Sequence, residues 1–358
     1  MRMGQTENKL YVSSSPHAHG GISSSRIMWT VSAVLLPAAG WSVYLFGLSA
    51  LMVILSTVVF CAVFEAISQL MAKKTVSIRD GSAVLTGLIL ALTLPPGLPI
   101  WICGVGAFVA IIVAKAVFGG LGQNPFNPAM TGRVFLLIAF PGPLTRWLVP
   151  SGTGETLFNH PVTAYDASGS LVELGANNID AVTAATPLGL LAENGAHAVA
   201  ALENSTEIFI GQINGSLGET SGLLILLGGV FLLARRIISW HIPISFLGSV
   251  ALFAAITNMI DPDHFAGITF HLFTGGVMIG AWFMATDYVT SPMFPGGKIA
   301  FGIGCGVLTM VIRLWAGYPE GVSFAVLLMN ATVPIIDRYT RPKKFGWKRL
   351  AAAAKGGE

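Results

Sequence analysis

Residues 50–71 read ALMVILSTVVFCAVFEAISQLM, an apolar run that contains a single charged residue, Glu65. An α-helix needs about 20 such residues to cross about 30 Å of membrane hydrocarbon, so this run is long enough to span. Of the 358 residues in the chain, 53% are hydrophobic and 10% are charged. An average soluble domain has about 25% charged residues. The sequence therefore predicts an integral membrane protein.

Apolar segments of this kind form two sets of five. The third segment ends at Pro95-Pro96 and is too short to cross alone, so it is predicted to be a broken or half helix. We therefore expect an all-α integral membrane protein with about ten transmembrane helices. The first set comprises residues 27–47, 50–71, 82–94, 100–117 and 133–148, and the second comprises residues 221–238, 242–260, 267–286, 299–316 and 322–336.

The two sets resemble each other in spacing. Lys115 and Phe126 are eleven residues apart in the first set, and Arg313 and Phe324 are eleven apart in the second. The tripeptide LTG in the third segment also matches FTG in the eighth. These matches predict a 5+5 inverted repeat, a fold that places its site between the halves near the membrane midplane. Chance matching between glycine-rich membrane segments is the alternative.

The distribution of charge predicts the orientation. Cytoplasmic loops are enriched in Lys and Arg, and a cytoplasmic N-terminus puts most positive residues on that side, including Lys115 and Arg133. Residues 149–220 carry eight acidic residues and no Lys or Arg, and an odd number of spans precedes them, so we expect them outside the cytoplasm. The predicted units are a cytoplasmic tail (1–26), a membrane repeat (27–148), an extracytoplasmic segment (149–220), a second repeat (221–337) and a basic cytoplasmic tail (338–358).

Metal chemistry has little support in the sequence. Cys61, Cys103 and Cys305 stand singly in apolar runs, without the spacing of a metal site or a disulfide. They are predicted to be small buried hydrophobic residues. His241, His264 and His271 are also scattered singly, so no metal ligands are predicted.

The polar segment contains the sequence DAVTAATPLG at residues 180–189. One interpretation is an ordinary helix start, with Asp180 or Thr183 as the cap and Thr186-Pro187 in the first turn. The other is that the Thr186 hydroxyl is esterified to a phosphate-bearing cofactor. A helix N-terminus suits a phosphate. A covalent bond would also compensate for the lack of Lys and Arg in this segment.

This motif resembles the flavinylation motif of membrane proteins in the Rnf and the sodium-pumping NADH:quinone reductase complexes. Asp180, Thr183, Ala185 and Thr186 match it, and Ala184 stands where glycine is common. The loop GGLGQNPFNPAMTGRVF and the runs ATDYVTSPMFPGGKIAFG and YPEGVSFAVLLMNATVPIIDRYTRPKKFG are similar to the same family, in the same order. The resemblance covers most of the chain and is closer to the RnfD family than to the NqrB-like component of the sodium-pumping reductase.

The resemblance implies a flavoprotein subunit of an ion-translocating ferredoxin/NAD oxidoreductase in the bacterial inner membrane, catalytic only within its complex. FMN would be bonded through its phosphate to Thr186 by a flavin transferase, on the periplasmic face. The partners implied are the other Rnf-type subunits, and the transported ion is Na⁺ or H⁺. The alternatives are an NqrB-like component of a sodium-pumping NADH:quinone reductase, or a non-redox solute channel or transporter built as an inverted repeat.

The loop GGLGQNPFNPAMTGR at residues 119–133 has two Asn-Pro pairs and predicts a tightly turned, non-helical backbone. It is either a rigid connector whose asparagines cap broken helices or the lining of a cavity. The resemblance implies a second, non-covalent flavin (riboflavin) within the membrane domain. Asn124, Asn127 and Thr131 are the predicted contacts for it.

Ionisable residues within the apolar segments are few. A charge in hydrocarbon costs about 2.5–3.5 kcal/mol on insertion scales, so it usually faces a partner or water. Glu65 and Asp287 are therefore predicted to belong to an ion path. The alternative is an interfacial acid paired with a nearby lysine. Lys115 and Arg313 are predicted to be anchors whose charged ends reach the membrane surface.

Overall fold

The computed structural model describes residues 23–73, 77–147, 162–165, 171–174, 186–199, 207–210, 215–316 and 320–342. Helices dominate this part of the chain, which confirms the predicted all-α membrane class. The first set contains α1 (Ser24–Phe46), α2 (Leu48–Met71), α3 (Ser82–Leu92), α4 (Ile100–Phe108) with its π-helical extension (Val109–Ala116), α5 (Pro128–Ala139) and α6 (Pro141–Leu144). The short α7 (Pro187–Asn194) and α8 (Glu207–Ile210) follow. The second set contains α9 (Gly222–Ala234), α10 (His241–Ile260), α11 (Ile268–Phe273), α12 (Val277–Ile279) with a π-helical extension (Gly280–Met284), α13 (Pro295–Trp315) and α14 (Val322–Thr340).

Five of the described helices are long and apolar enough to cross a membrane: α1, α2, α10, α13 and α14. The third segment is short, as its sequence predicts, because α3 ends at Leu92 ahead of Pro95-Pro96. The free carbonyls at its end are satisfied from the other half of the protein. Gly218 N–H donates to Leu92 O at 2.5 Å, and Leu217 N–H donates to Leu94 O at 3.1 Å. A half helix can therefore end inside the protein without leaving these carbonyls unpaired.

The helix α2 shows how the charged residues come to face inward. Its large exposed side chains recur every three or four residues, which places them on one face of the helix. Glu65 lies on the opposite, buried face, together with Thr57 and Cys61. The exposed stripe consists of Met52, Leu55, Val59, Val63, Ile67 and Leu70.

The fifth segment is shorter and begins earlier than its predicted range of 133–148. The helix α5 begins at Pro128 because Asn127 caps it: the Asn127 Oδ1 accepts hydrogen bonds from Ala129 N and Met130 N. Proline at the first helical position suits such a start. The prediction of a non-helical loop up to residue 133 is therefore wrong for its last six residues, 128–133.

The eighth segment is broken, whereas its sequence predicts a continuous span over 267–286. The helix α11 ends at Phe273, and Gly275 adopts a left-handed conformation with φ of 61°. The Arg313 guanidinium donates to the carbonyl oxygens of His271 and Thr274, each at 2.8 Å. A carbonyl at a helix C-terminus needs such a donor, so the arginine stabilises the break.

The two sets of helices share a packing pattern. In the first set the second helix, α2, packs against α4 and its extension, and in the second set the equivalent α10 packs against α13. The last two helical segments of each set also pack together. Between the sets, α1 contacts α9 and α5 contacts α14, which are equivalent positions. Contacts between equivalent elements are expected around a two-fold axis, so the packing supports the repeat.

A small antiparallel ladder lies between the two sets along the chain. The strand β1 (Val162–Tyr165) pairs with β2 (Leu171–Leu174), with Val162 opposite Leu174. Their sequences, VTAY and LVEL, include β-branched and aromatic residues that favour strands. The all-α prediction does not include this ladder.

Candidate functional site

Thr186 is the N-cap residue of α7. Its Oγ1 accepts a hydrogen bond from the Gly189 backbone N–H at 3.1 Å, and the residue is only 8% exposed. Capping uses a lone pair of the hydroxyl oxygen, whereas esterification replaces its proton, so the two roles are compatible. The other motif residues, Asp180, Thr183 and Ala185, lie outside the described part of the chain.

The first turn of α7 rests on the broken helix of the second set. Leu188 packs in a buried cluster with Phe270 of α11. A Cβ atom added at Gly275 would collide with both the Leu188 side chain and the Arg313 guanidinium. Gly275 therefore lets α7 approach Arg313 closely. The arginine supplies positive charge beside a segment, residues 149–220, that has no Lys or Arg of its own.

A cluster of charged residues lies around Arg313. Arg133 of α5 pairs with Glu320, with 2.5 Å between Nη2 and Oε2. Glu219 lies in the turn before α9, and burial, followed by the nearby Glu320 carboxylate, raises the pKa of Glu219 to about 8. This shift favours the protonated, uncharged form of Glu219, which lowers the negative charge that faces the two arginines.

Several buried polar atoms of this cluster have no hydrogen-bond partner within the described structure. Buried polar groups are normally paired, so unpaired ones indicate that another group completes the site. Two of these atoms are guanidinium nitrogens, which can only donate, so they fit a group that offers hydrogen-bond acceptors. The unpaired atoms are Arg133 Nη1, Arg313 Nε, Glu320 Oε1, and Nδ1 and Nε2 of His271.

A cavity with an empty volume of about 810 Å³ opens between the two sets of helices. Its lining combines aromatic and aliphatic side chains, including Trp282 and Phe283, with a few polar groups. Asn124 and Asn127 both line it, whereas Thr131 does not. Thr131 instead donates a hydrogen bond from its hydroxyl to the Asn127 carbonyl at 2.9 Å. An apolar cavity with a few placed polar groups suits a planar organic cofactor.

Asn127 also joins the two sets. Its Nδ2 donates to Met284 O at 3.2 Å, at the end of the second π-helix. Asn330 of α14 completes this junction, because its side-chain amide accepts from Asn127 N at 3.1 Å and donates to Thr290 O at 3.0 Å. Asn127 thus has the capping role that the connector interpretation gives it, and it also lines the cavity. Sequence reasoning missed Asn330, although a lone asparagine in an apolar run is a signal.

Glu65 forms a buried ion pair with Lys115, with 2.9 Å between Oε2 and Nζ. Lys115 is 2% exposed and Arg313 is 6% exposed, so the prediction that both reach the membrane surface is wrong. Each cation instead finds partners inside the protein, because the neighbouring segments offer oxygen atoms at membrane depth. The predicted orientation counts Lys115 and Arg133 as cytoplasmic charges. Both are buried, so neither supports that prediction.

Asp287 lies after the second π-helix and lines the cavity between the sets. Its two carboxylate oxygens accept hydrogen bonds from Val289 N at 3.4 Å and Thr290 Oγ1 at 3.0 Å. Glu65 lines a second, more polar cavity with an empty volume of about 610 Å³. The two predicted ion-path acids therefore belong to different cavities.

The sequence pattern of the NQR2, RnfD, RnfE family matches residues 11–346. The chain belongs to this family. Its matched length includes both sets of helices and the segment between them, so the family assignment covers the whole site described above.

Individual relatives are similar over nearly their full length, and each is named as the D component of a complex. A protein of an ion-translocating oxidoreductase complex in Stutzerimonas stutzeri is 46% identical over 90% of this chain and 92% of its own. A protein of a proton-translocating ferredoxin:NAD(+) oxidoreductase complex in Clostridium ljungdahlii is 41% identical over 96% and 98%. A protein of a Na(+)-translocating ferredoxin:NAD(+) oxidoreductase complex in Acetobacterium woodii is 41% identical over 98% and 99%.

Proposed function

We propose that the protein is the flavin-carrying, RnfD-type component of a membrane-bound, ion-translocating ferredoxin/NAD oxidoreductase complex. FMN is bonded through its phosphate to Thr186, and the protein passes electrons while the complex moves Na⁺ or H⁺. It is catalytic only within that complex. Full-length similarity to relatives named as the D components of such complexes supports this role. One of these relatives is named for proton translocation and the other for Na⁺ translocation, so both ions remain candidates.

The position of Thr186 supports the covalent flavin. Its oxygen lies at the positive end of α7, whose first turn packs beside Arg313. A phosphate, and the negative charge that a flavin ring gains on reduction, are both stabilised near a helix N-terminus and a guanidinium group. FMN, when attached, supplies one- and two-electron redox chemistry, and the protein supplies position and charge. The unpaired Arg313 Nε and Arg133 Nη1 are the donors that we assign to it.

The cavity between the sets is where we place the second, non-covalent flavin, riboflavin. Asn124 and Asn127 supply its polar contacts, and Trp282 and Phe283 supply apolar surface for its ring. Thr131 acts through Asn127 by holding its carbonyl. Asp287 and Glu65, at this cavity and at its polar neighbour, remain the acids that we propose for the ion path.

The orientation that we propose puts both termini in the cytoplasm and Thr186 on the periplasmic face of a bacterial inner membrane. That placement is favoured by positive residues in or beside the short loops that this orientation places inside, namely Lys73, Arg79, Arg235, Arg236 and Lys298. A flavin transferase then attaches FMN from the periplasmic side. An RnfD-type protein is favoured over an NqrB-like component of a sodium-pumping quinone reductase by the names of the relatives.

A solute transporter or channel is the second candidate function. It is favoured by the break between α11 and α12 and by a cavity between repeats, because transporters of this kind bind substrate at such a place. The two functions differ in one simple property: only the first requires a flavin that survives denaturation.

The test is expression with a flavin transferase, followed by denaturing electrophoresis, flavin fluorescence and mass spectrometry of the Thr186 peptide. The wild type should fluoresce and carry the mass of FMN less one water. Thr186→Ala should be dark, and Thr183→Ala should stay fluorescent. Thr186→Asp is the matched control for folding, because aspartate keeps the helix cap but offers no hydroxyl. A dark wild type would reject the proposal, and a fluorescent Thr186→Ala would move the bond to another residue.

A further inference from the structure

Lys115 lies in the wall between two cavities. Its Nζ donates to Glu65 Oε2 and to Ser82 Oγ, both at 2.9 Å. The residue lines both the cavity between the sets and the polar cavity beside Glu65. It belongs to the π-helix Val109–Ala116, a type of helix that often marks functional sites. One buried positive charge therefore borders two spaces at once.

The two cavities differ in chemistry. The cavity between the sets is mainly apolar and aromatic and suits a planar cofactor. The polar cavity is rich in oxygen atoms, which hard cations prefer as ligands. Its polar lining consists of Glu65, Ser68, Gln69, Ser77, Asp80 and Lys115.

A continuous chain of hydrogen bonds occupies both oxygens of Glu65. Oε1 accepts from Gln69 Nε2 at 2.9 Å, and Oε2 accepts from Lys115. Gln69 Oε1 in turn accepts from Ser77 N at 2.7 Å. A cation that enters the polar cavity can bind Glu65 fully only if Lys115 gives up its bond, because the ammonium neutralises that carboxylate.

We propose that Lys115 couples the charge of a cofactor in the cavity between the sets to cation binding at Glu65. This rests on the proposed second flavin. One electron, delivered there by a one-electron carrier of the complex, adds one negative charge next to Lys115. The ammonium shifts towards that charge, and Glu65 then takes one cation from the polar cavity. One electron and one cation enter together: Na⁺ is held by the carboxylate oxygens without a covalent change, whereas H⁺ forms an O–H bond with Glu65.

The other acidic groups near Lys115 are held by hydrogen bonds to other residues, so Lys115 is the group that can change partner. Asp80 is held on Ser82, because Asp80 Oδ1 accepts from both the N–H and the hydroxyl of that serine. Asp287 lines the cavity from the second set and is held by Val289 and Thr290. Only Glu65 makes a direct ion pair with Lys115 among the described residues.

Binding and reduction are reciprocal in such a scheme, so the cation must raise the midpoint potential of the non-covalent flavin. The experiment is an electrochemical titration of the purified whole complex, at increasing Na⁺ and fixed pH, and again over a pH series without Na⁺. For a one-electron couple we expect an increase approaching about 59 mV per tenfold rise in the coupled cation. The Na⁺ and pH series together identify that cation.

The variants separate coupling from structure. Lys115→Gln should lose the cation-dependent shift while it still binds flavin, because Glu65 then holds its cation in both redox states. Lys115→Arg should keep the shift. Lys298→Gln, which removes a half-buried lysine near Ser239, is the matched control and should behave like the wild type. A flavin itself binds protons when it is reduced, so its midpoint potential depends on pH in every variant. In the pH series we therefore compare the slope of potential against pH in the wild type with the slope in Lys115→Gln.

Two failures are distinguishable. If acid denaturation of the complex releases no riboflavin and only covalent FMN stays on the protein, the second flavin and the coupling are rejected together. If the complex holds the flavin but its midpoint potential does not change with Na⁺, and its pH slope equals that of Lys115→Gln, the coupling alone is rejected. A shift that is unchanged in Lys115→Gln would also reject it.

Discussion

Arg133 and Glu320 form an ion pair that joins the two sets of helices, with 2.5 Å between the guanidinium and the carboxylate. They are 187 residues apart in sequence. The side chain of Arg133 is 2% exposed and that of Glu320 is 16% exposed, so both charges are largely removed from solvent. A pair in such surroundings holds its partners strongly, because either charge alone would be expensive to keep buried.

Breaking this pair should destabilise the protein. We expect Glu320→Gln to lower the free energy of unfolding by about 3–5 kcal/mol, since it leaves the Arg133 charge without its partner. Thermal unfolding in detergent would measure the loss. The double variant Arg133→Met with Glu320→Leu should recover most of it, because neither member of the pair is then left as an unpaired buried charge. Arg146→Gln, at an exposed arginine, should have little effect; an equal loss there would contradict the interpretation.

The close contact at Gly275 gives a second prediction. Gly275→Ala should cost about 1–3 kcal/mol, because its φ of 61° is unfavourable for alanine and the new methyl group meets Arg313 and Leu188. Displacement of α7 should also lower the flavin fluorescence of the denatured protein. Gly248→Ala is the control, since Gly248 lies in α10 with no atom near its added Cβ. It should be neutral or slightly stabilising, and a loss there equal to that at Gly275 would rule out a local cause.

Glu219 predicts a dependence of stability on pH. Its pKa rises from the usual value of 4.5 to about 8 on folding, because of burial and the Glu320 carboxylate. The folded protein therefore binds more protons than the unfolded chain between those values, and its stability falls as the pH rises through that window. Glu219→Gln should remove this contribution. The difference in melting temperature between the variant and the wild type should therefore be more favourable to the variant at pH 8 than at pH 5. The same difference at both pH values would contradict the assignment.

The cavity between the sets predicts different effects for two nearby polar residues. Asn124→Ala should lower the amount of flavin released by acid denaturation, because Asn124 lines the cavity. Thr131→Val should leave most of that flavin bound, since its hydroxyl reaches only the Asn127 carbonyl. Quantifying released riboflavin per protein would compare them. Equal loss in both variants would indicate that the flavin is held elsewhere or that the whole junction has collapsed.

Much of the fold follows from local sequence. Length and hydrophobicity identify the five long membrane helices, since a helix that spans alone needs about 20 apolar residues. Pro95-Pro96 marks the end of the short α3. The correspondence of Lys115 with Arg313 across the repeat is also visible in the spacing alone. Thr186 could be singled out because the motif around it is local, but the sequence predicts the cap at Asp180 or Thr183, whereas Thr186 itself caps the helix.

Only the tertiary structure determines which charged residues are buried and where the eighth segment is interrupted. Glu65 with Lys115, and Arg133 with Glu320, are partners from distant segments, so no local pattern indicates that these cations are buried rather than at the membrane surface. The break in the eighth segment likewise depends on Arg313, which belongs to another helix. Hydrophobicity determines which segments enter the membrane, whereas the pairing of buried polar groups, each of which needs a partner there, depends on how those segments pack together.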